Sequence, residues 1–190
     1  VDYPHYKGIR FRERWNGNIK NNNWEFLLNM NNKFSPIPSF LTINFDSDLK
    51  LDNLTFTRVF NSNKGIIEIV NDNSSYIWKA NNFPLDELEL SIRNNQFDRI
   101  KGIINGSGSI YPDLSYLDGR LAWSLGKYRN IKLANSLFDF SFNDNSFYVN
   151  SSLYPIDGGI IEVDYDSNKN NLINLDFNDI NTSWTILTAL

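Results

Sequence analysis

The chemistry available to this chain is limited by what it lacks. It has one histidine, His5, and no cysteine. A single imidazole cannot build a His-rich metal centre, and without Cys there is neither a thiolate nucleophile nor a Cys-ligated zinc site. His5 would need a converging Ser and Asp to work as a triad base. The nearest Gly/Ser run, Asn105-Gly106-Ser107-Gly108, lacks the Gly-x-Ser-x-Gly spacing of a nucleophile elbow and lies in a strand-like pattern. Asp164-x-Asp166-x-Asn168-x-Asn170 starts like a calcium loop. Its sixth position is Lys169 where Gly is needed, and its twelfth is Leu175 where a bidentate Glu is needed. It therefore reads as a polar hairpin turn. Gly102 to Gly108 is followed by no Lys-Ser/Thr pair and no helix, so it cradles no phosphate. The acids Asp46/Asp48 and Asp118/Asp157 read as scattered surface carboxylates, not as a glycosidase pair. From these residues we expect no enzyme, no metal and no cofactor.

Composition narrows the partner class. Net charge is −4, which speaks against a nucleic-acid duplex as ligand. Arg10, Arg12 and Arg14 alternate and read as a solvated strand face. Aromatics reach 15%, an excess of residues that favour strands. The 30 Asn read as base-composition bias of the source genome. The chain starts at Val1 without a basic n-region or an apolar h-region, and it reads as a fragment of a longer chain.

What positions these residues is an alternation of period two, the mark of half-buried strands. Ile104 and Ile110 share a face with Gly102, Gly106 and Gly108. Glycines in a row on one face permit curvature or close approach of another group. Leu121, Trp123 and Leu125 alternate with polar or neutral positions, and so do Ile161, Val163 and Tyr165. Short polar turns such as Asn143-Asp144-Asn145 join the runs into an antiparallel meander. Two short helices are expected, over Pro84 to Leu90 and Ile180 to Leu190. In the first, Pro84 and the following acids suit an N-terminal turn. Two such helices cannot cover so long an apolar face. Either the sheet closes on itself, or it remains an open trough.

The chain also repeats. Lys64-Gly65-Ile66-Ile67-Glu68-Ile69 returns 94 residues later as Gly158-Gly159-Ile160-Ile161-Glu162-Val163. Each copy follows a strand-like run, Leu41 to Phe45 or Phe138 to Phe142. Such a period marks a repetitive architecture. We divide the chain into a first β repeat, 1–82, and a second, 83–190, with the short helices.

Phe83-Pro84-Leu85, Gly106-Ser107-Gly108, Gly119-Arg120-Leu121 and the Gly158 to Val163 strand occur in the order seen in the TamB family of translocation-and-assembly-module proteins, part of the AsmA-like group. The chain resembles that family well over Phe83 to Leu190 and loosely over Tyr3 to Asn82. The resemblance implies a mainly β, strongly curved antiparallel sheet, an open β-taco trough with an apolar interior. It further implies a periplasmic segment of an inner-membrane-anchored envelope protein, with bacterial or chloroplast-envelope relatives. The implied partners are phospholipid acyl chains, conducted between membranes, and an outer-membrane β-barrel protein of the assembly machinery. The expected lining is Ile104, Ile110, Leu121, Trp123, Leu125, Phe138, Phe140, Phe142, Phe147, Val149, Ile161, Val163, Tyr165, Ile173, Leu175 and Phe177. The competing expectation is a secreted β-sandwich, a carbohydrate-binding or adhesin domain using Trp15, Trp24, Trp78, Trp123 and Trp184 as stacking platforms.

Overall fold

The structure, a computed structural model, describes residues 5–6, 9–11, 14–29, 39–60, 63–86, 88–91, 97–111, 115–128, 131–143, 146–169 and 173–179. Its strands are β1 His5–Tyr6, β2 Ile9–Phe11, β3 Arg14–Lys20, β4 Asn23–Asn29, β5 Ser39–Phe45, β6 Leu51–Phe60, β7 Asn63–Asp72 and β8 Ser75–Pro84. They continue as β9 Leu88–Ser91, β10 Phe97–Ile110, β11 Tyr116–Tyr128, β12 Ile131–Leu133, β13 Ser136–Asn143, β14 Ser146–Leu153, β15 Ile160–Asp166 and β16 Ile173–Asn178. All belong to one antiparallel sheet whose main path runs from β16 through β15, β14, β13, β11, β10, β8, β7, β6, β5 and β4 to β3. The ends of that path do not pair with each other, so the sheet is open. Both repeats lie in it, and β8 carries the chain through the 82/83 boundary.

The 94-residue repeat is a repeat of phase. Blocks β5 to β8 and β13 to β16 are each four-strand meanders with the repeated motif on the third strand. Ile67, Ile69, Ile161 and Val163 all lie on one face, with Ile67 level with Val163, while Glu68 and Glu162 fall on the opposite face. Two-residue turns join β3 to β4 and β7 to β8. Asn21 (φ 48°) and Asn73 (φ 57°) adopt the left-handed conformation those turns require. Some of the Asn excess is therefore turn chemistry as well as composition.

The first expected helix is absent. β8 extends to Pro84, Leu85 donates its N–H to the Gly102 carbonyl, and Leu88–Ser91 form β9. β9 pairs with β10 from Leu88–Ile100 to Ser91–Phe97, and on its other side with β2. Glu89, read as a helix-dipole partner, sits in register between Arg99 and Arg10. Sheet pairing outweighs helix propensity here because β10 offers an unpaired ladder once β8 has ended. The second expected helix, over Ile180 to Leu190, lies outside the described residues.

The sheet forks where three strands change course together. From Ile104 to Gly106, β10 advances two residues while β8 advances three, Ala80 to Phe83. From Lys101 to Ile103, β11 carries the extra residue, between Ser124 and Lys127. The first bulge holds Asn82 (φ 47°), whose N–H donates to Asn105 Oδ1, and the second holds Leu125 (φ 52°) opposite the stretch that contains Gly102 (φ 123°). Beyond them the N-terminal part of β10 pairs with β9, and the C-terminal part of β11 pairs with β12.

Burial is thin. Phe56, Trp78, Ala80 and Phe83 form the buried centre, with Leu41, Leu54, Ile67, Ile69, Ile104 and Leu121 among the half-buried residues against it. The chain exposes 12507 Å², against about 9,300 Å² for a compact monomer of its mass. Two buried serines on this framework differ in one respect. Ser136 Oγ accepts the Tyr154 N–H at 3.2 Å, whereas Ser151 Oγ, in a residue 3% exposed, finds no partner among the described residues. We expect Ser151→Ala to raise unfolding free energy and Ser136→Ala to lower it, each by about 1 kcal/mol. Equal losses in urea melts of the two variants would contradict this.

Candidate functional site

Directly paired residues on neighbouring strands share a face, so the register defines each face of the sheet. One row runs Leu41, Phe56, Ile67, Ala80, Gly106, Leu121, Phe138, Ser151, Val163, Leu175. The next runs Trp24, Ile43, Leu54, Ile69, Trp78, Gly108, Gly119, Phe140, Val149, Tyr165, Ile173. A third, shorter row holds Tyr76, Ile110, Leu117, Phe142 and Phe147, and a fourth Ile104 and Trp123. Ile161 and Phe177 pair in that fourth level at the far end. The intervening positions form the opposite face, where Phe40, Val70, Ile77, Leu137 and Tyr148 are exposed among polar residues, and where Thr42, Thr55, Glu68, Lys79, Ser107, Arg120, Asp139, Asn150, Asp164 and Asn174 form one continuous polar row.

Fifteen of the sixteen expected lining residues therefore share the apolar face. Leu125 does not. It occupies the β11 bulge, is 73% exposed, and falls out of the alternation. Gly126 takes the place beside Trp123, and a Cβ there would meet the Trp123 ring at 2.9 Å. The sequence reading also stopped at Ile104 and missed the same face in the first repeat: Leu41, Leu54, Phe56, Ile67, Ile69, Trp78, Ala80 and Phe83. The signal was present in the repeat itself, since Ile67 and Ile69 match Ile161 and Val163.

The glycine row is filled from within the protein. Trp78, 9% exposed, lies across β10 and β11. A Cβ on Gly119 would clash with its Cζ2, and one on Gly108 would come within 2.6 Å of its Nε1. The indole N–H donates to the Asp118 carbonyl at 2.9 Å, and the ring stacks on Phe140, 6.0 Å between centroids at 23°. Trp123 repeats the arrangement at the fork, donating to the Lys101 carbonyl at 2.9 Å. Both indoles satisfy their polar group on a neighbouring strand, so neither presents a free N–H on the apolar face.

One cation lies at this level. Arg58, fully buried, donates to the carbonyls of Pro84 (3.3 Å) and Asp86 (2.8 Å), with its guanidinium 5.8 Å from the Phe83 ring. It binds the end of β8 to β6, where the first helix was expected. Burial raises the Asp86 carboxyl above its ordinary range, opposed by Lys101, by backbone hydrogen bonds and by Arg58.

Asp166 Oδ1 accepts the Asn168 N–H at 2.9 Å, which makes the calcium-like run a capped turn. Comparison with family models, curated proteins and solved structures gives no match.

Two outcomes follow from this geometry. Gly119→Ala must displace Trp78, and should cost about 1–3 kcal/mol in a chemical melt, with a change in Trp fluorescence. An unperturbed melt would show that the indole does not lie there. For Asp86, the folded state holds its proton more tightly than the unfolded state. Stability should therefore fall as pH rises from the ordinary Asp value of 3.8 through the raised folded value. The stability of the native protein relative to Asp86→Asn should fall over that same window; a pH-independent difference would refute the assignment.

Proposed function

We propose that the chain is a segment of an intermembrane lipid conduit, its apolar face carrying phospholipid acyl chains. The observation that supports this most is the length and openness of that face. The path of twelve strands corresponds to about 50 Å at the usual strand spacing. No helix and no second sheet covers it among the described residues. An apolar face of that length with no opposing layer is one that a partner would cover. It also exceeds the reach of any one small ligand, which favours a track over a pocket.

The resemblance to the TamB family gives this track its setting: a periplasmic stretch of an inner-membrane-anchored protein, with an outer-membrane β-barrel protein as partner in assembly. The largely apolar lining, interrupted by the buried Ser151, supports hydrocarbon as cargo, since a headgroup laid against it would lose its hydrogen bonds with water. The competing reading, a sandwich displaying tryptophans to sugars, draws less support. Trp78 is buried within the sheet, and Trp24 packs against Phe45 at 4.9 Å.

Val163 and Glu162 are adjacent and face opposite ways. Photocrosslinking from position 163 in cells should yield lipid adducts. Val163→Asp should block lipid transfer while moving the thermal midpoint little, because water can follow the carboxylate into an open face. Glu162→Lys should change neither. Absence of adducts together with a collapsed melt for Val163→Asp would mean a closed core and would defeat the proposal.

A further inference from the structure

The polar face holds a second feature. Across β8, β10, β11, β13 and β14, one outer row reads Ile77, Ser109, Asp118, Ser141, Tyr148. Small residues in the middle stand between large ones at the sides, so the row dips. With Ser107 and the Arg120–Asp139 pair on the next row, the dip becomes a shallow, open cleft of about 480 Å³.

The groups in this cleft have a definite chemistry. Asp118 Oδ1 accepts the Ser109 N–H at 2.7 Å, and its Oδ2 accepts the Tyr116 hydroxyl at 3.2 Å. The Asp118 charge, with lesser help from burial, pushes the Tyr116 phenol up, so it remains a donor. Each carboxylate oxygen keeps a lone pair for a second donor. Arg120 is bound to Asp139 through Nε and Nη2. Its remaining N–H groups can donate outward, since a guanidinium carries five. Three serine hydroxyls, able both to donate and to accept, form the floor. Tyr148, 37% exposed, adds an aromatic wall.

Two carboxylates against one guanidinium leave the cleft with net negative charge. That disfavours phosphate, carboxylate ligands and nucleic acid. A ligand matched to it must be neutral, must present several groups that both donate and accept, and must have an apolar face to lay on a phenol ring. We propose that this cleft is a saccharide-binding site for a neutral sugar, with Tyr148 as the stacking platform and Asp118, Asp139 and Arg120 as hydroxyl partners. The proposal is independent of the lipid track, which occupies the other face. It assigns sugar recognition to tyrosine on the wet face, not to the tryptophans.

Saturation-transfer NMR with maltose, cellobiose and N,N′-diacetylchitobiose tests it. At least one should receive saturation on its ring C–H protons, with the millimolar affinity of a shallow site. Tyr148→Ala should weaken that affinity about tenfold, one aromatic contact's worth, and Tyr148→Phe should retain it. Val163→Asp should leave it unchanged, which separates this site from the lipid reading. No transfer to any of the three sugars, or transfer that survives Tyr148→Ala, would overturn the proposal. So would spermidine binding at this cleft in the absence of sugar binding.

Discussion

Phase is the constraint on which the rest of this sheet depends. In a strand the side-chain period is two, so a slip of one residue moves a whole apolar set from one face to the other. Over twelve strands a single slip would break both apolar rows. The chain nevertheless bends, and bending needs extra residues. It places them at Asn82 and Leu125, where left-handed backbone absorbs one residue each. After the first bulge Phe83 is again on the apolar face; after the second, Gly126 lies beside Trp123. Leu125 is exposed as a consequence of keeping every other residue in phase.

The second requirement is to fill a face that has no opposing layer. Leucine and isoleucine side chains stand away from a sheet and need a partner above them. An indole can instead lie down. Glycines at 108 and 119 remove the Cβ atoms that would prevent it, and Trp78 then covers two strands besides its own. Backbone that bare glycine would expose is shielded, and the indole N–H is satisfied by the Asp118 carbonyl. Stability thus comes from within the layer, which allows the face to stay open. Arg58 does the corresponding work at the fork, where the Pro84 and Asp86 carbonyls have left the regular ladder.

Alternation made the strands legible in the sequence, and the repeat made their equivalence legible. The opposed placement of Val163 and Glu162 could be read from six residues. Two features were harder to read. The acids after Pro84 fit a helix start by every local rule, yet the decision depended on an unpaired ladder on β10, a strand that begins thirteen residues later in the chain. Leu125 fits the alternation by spacing, and only the register against β10 reveals the extra residue. The glycine row was read correctly as room for close approach, but not what approaches. Trp78 lies thirty residues before Gly108, and nothing local links them. The polar cleft was not legible at all, because its residues come from strands whose alignment fixes which serines meet which tyrosine.

A face built this way has no single residue that acts as a site. Each apolar position is repeated at the next strand, so the environment changes little along the row, and removing one methyl group alters one step of many. Charge is different. A carboxylate on this face must carry water with it, and water breaks the continuity of the apolar row. The same asymmetry accounts for where the chain puts its ionic residues. Glu68, Lys79, Arg120, Asp139 and Asp164 all fall in one row on the other face, while Arg58, on the apolar side, is fully buried and bonded to backbone. Keeping ions off this face avoids the cost of desolvating a charge there, and Arg58, which does lie on it, is held by the Pro84 and Asp86 carbonyls.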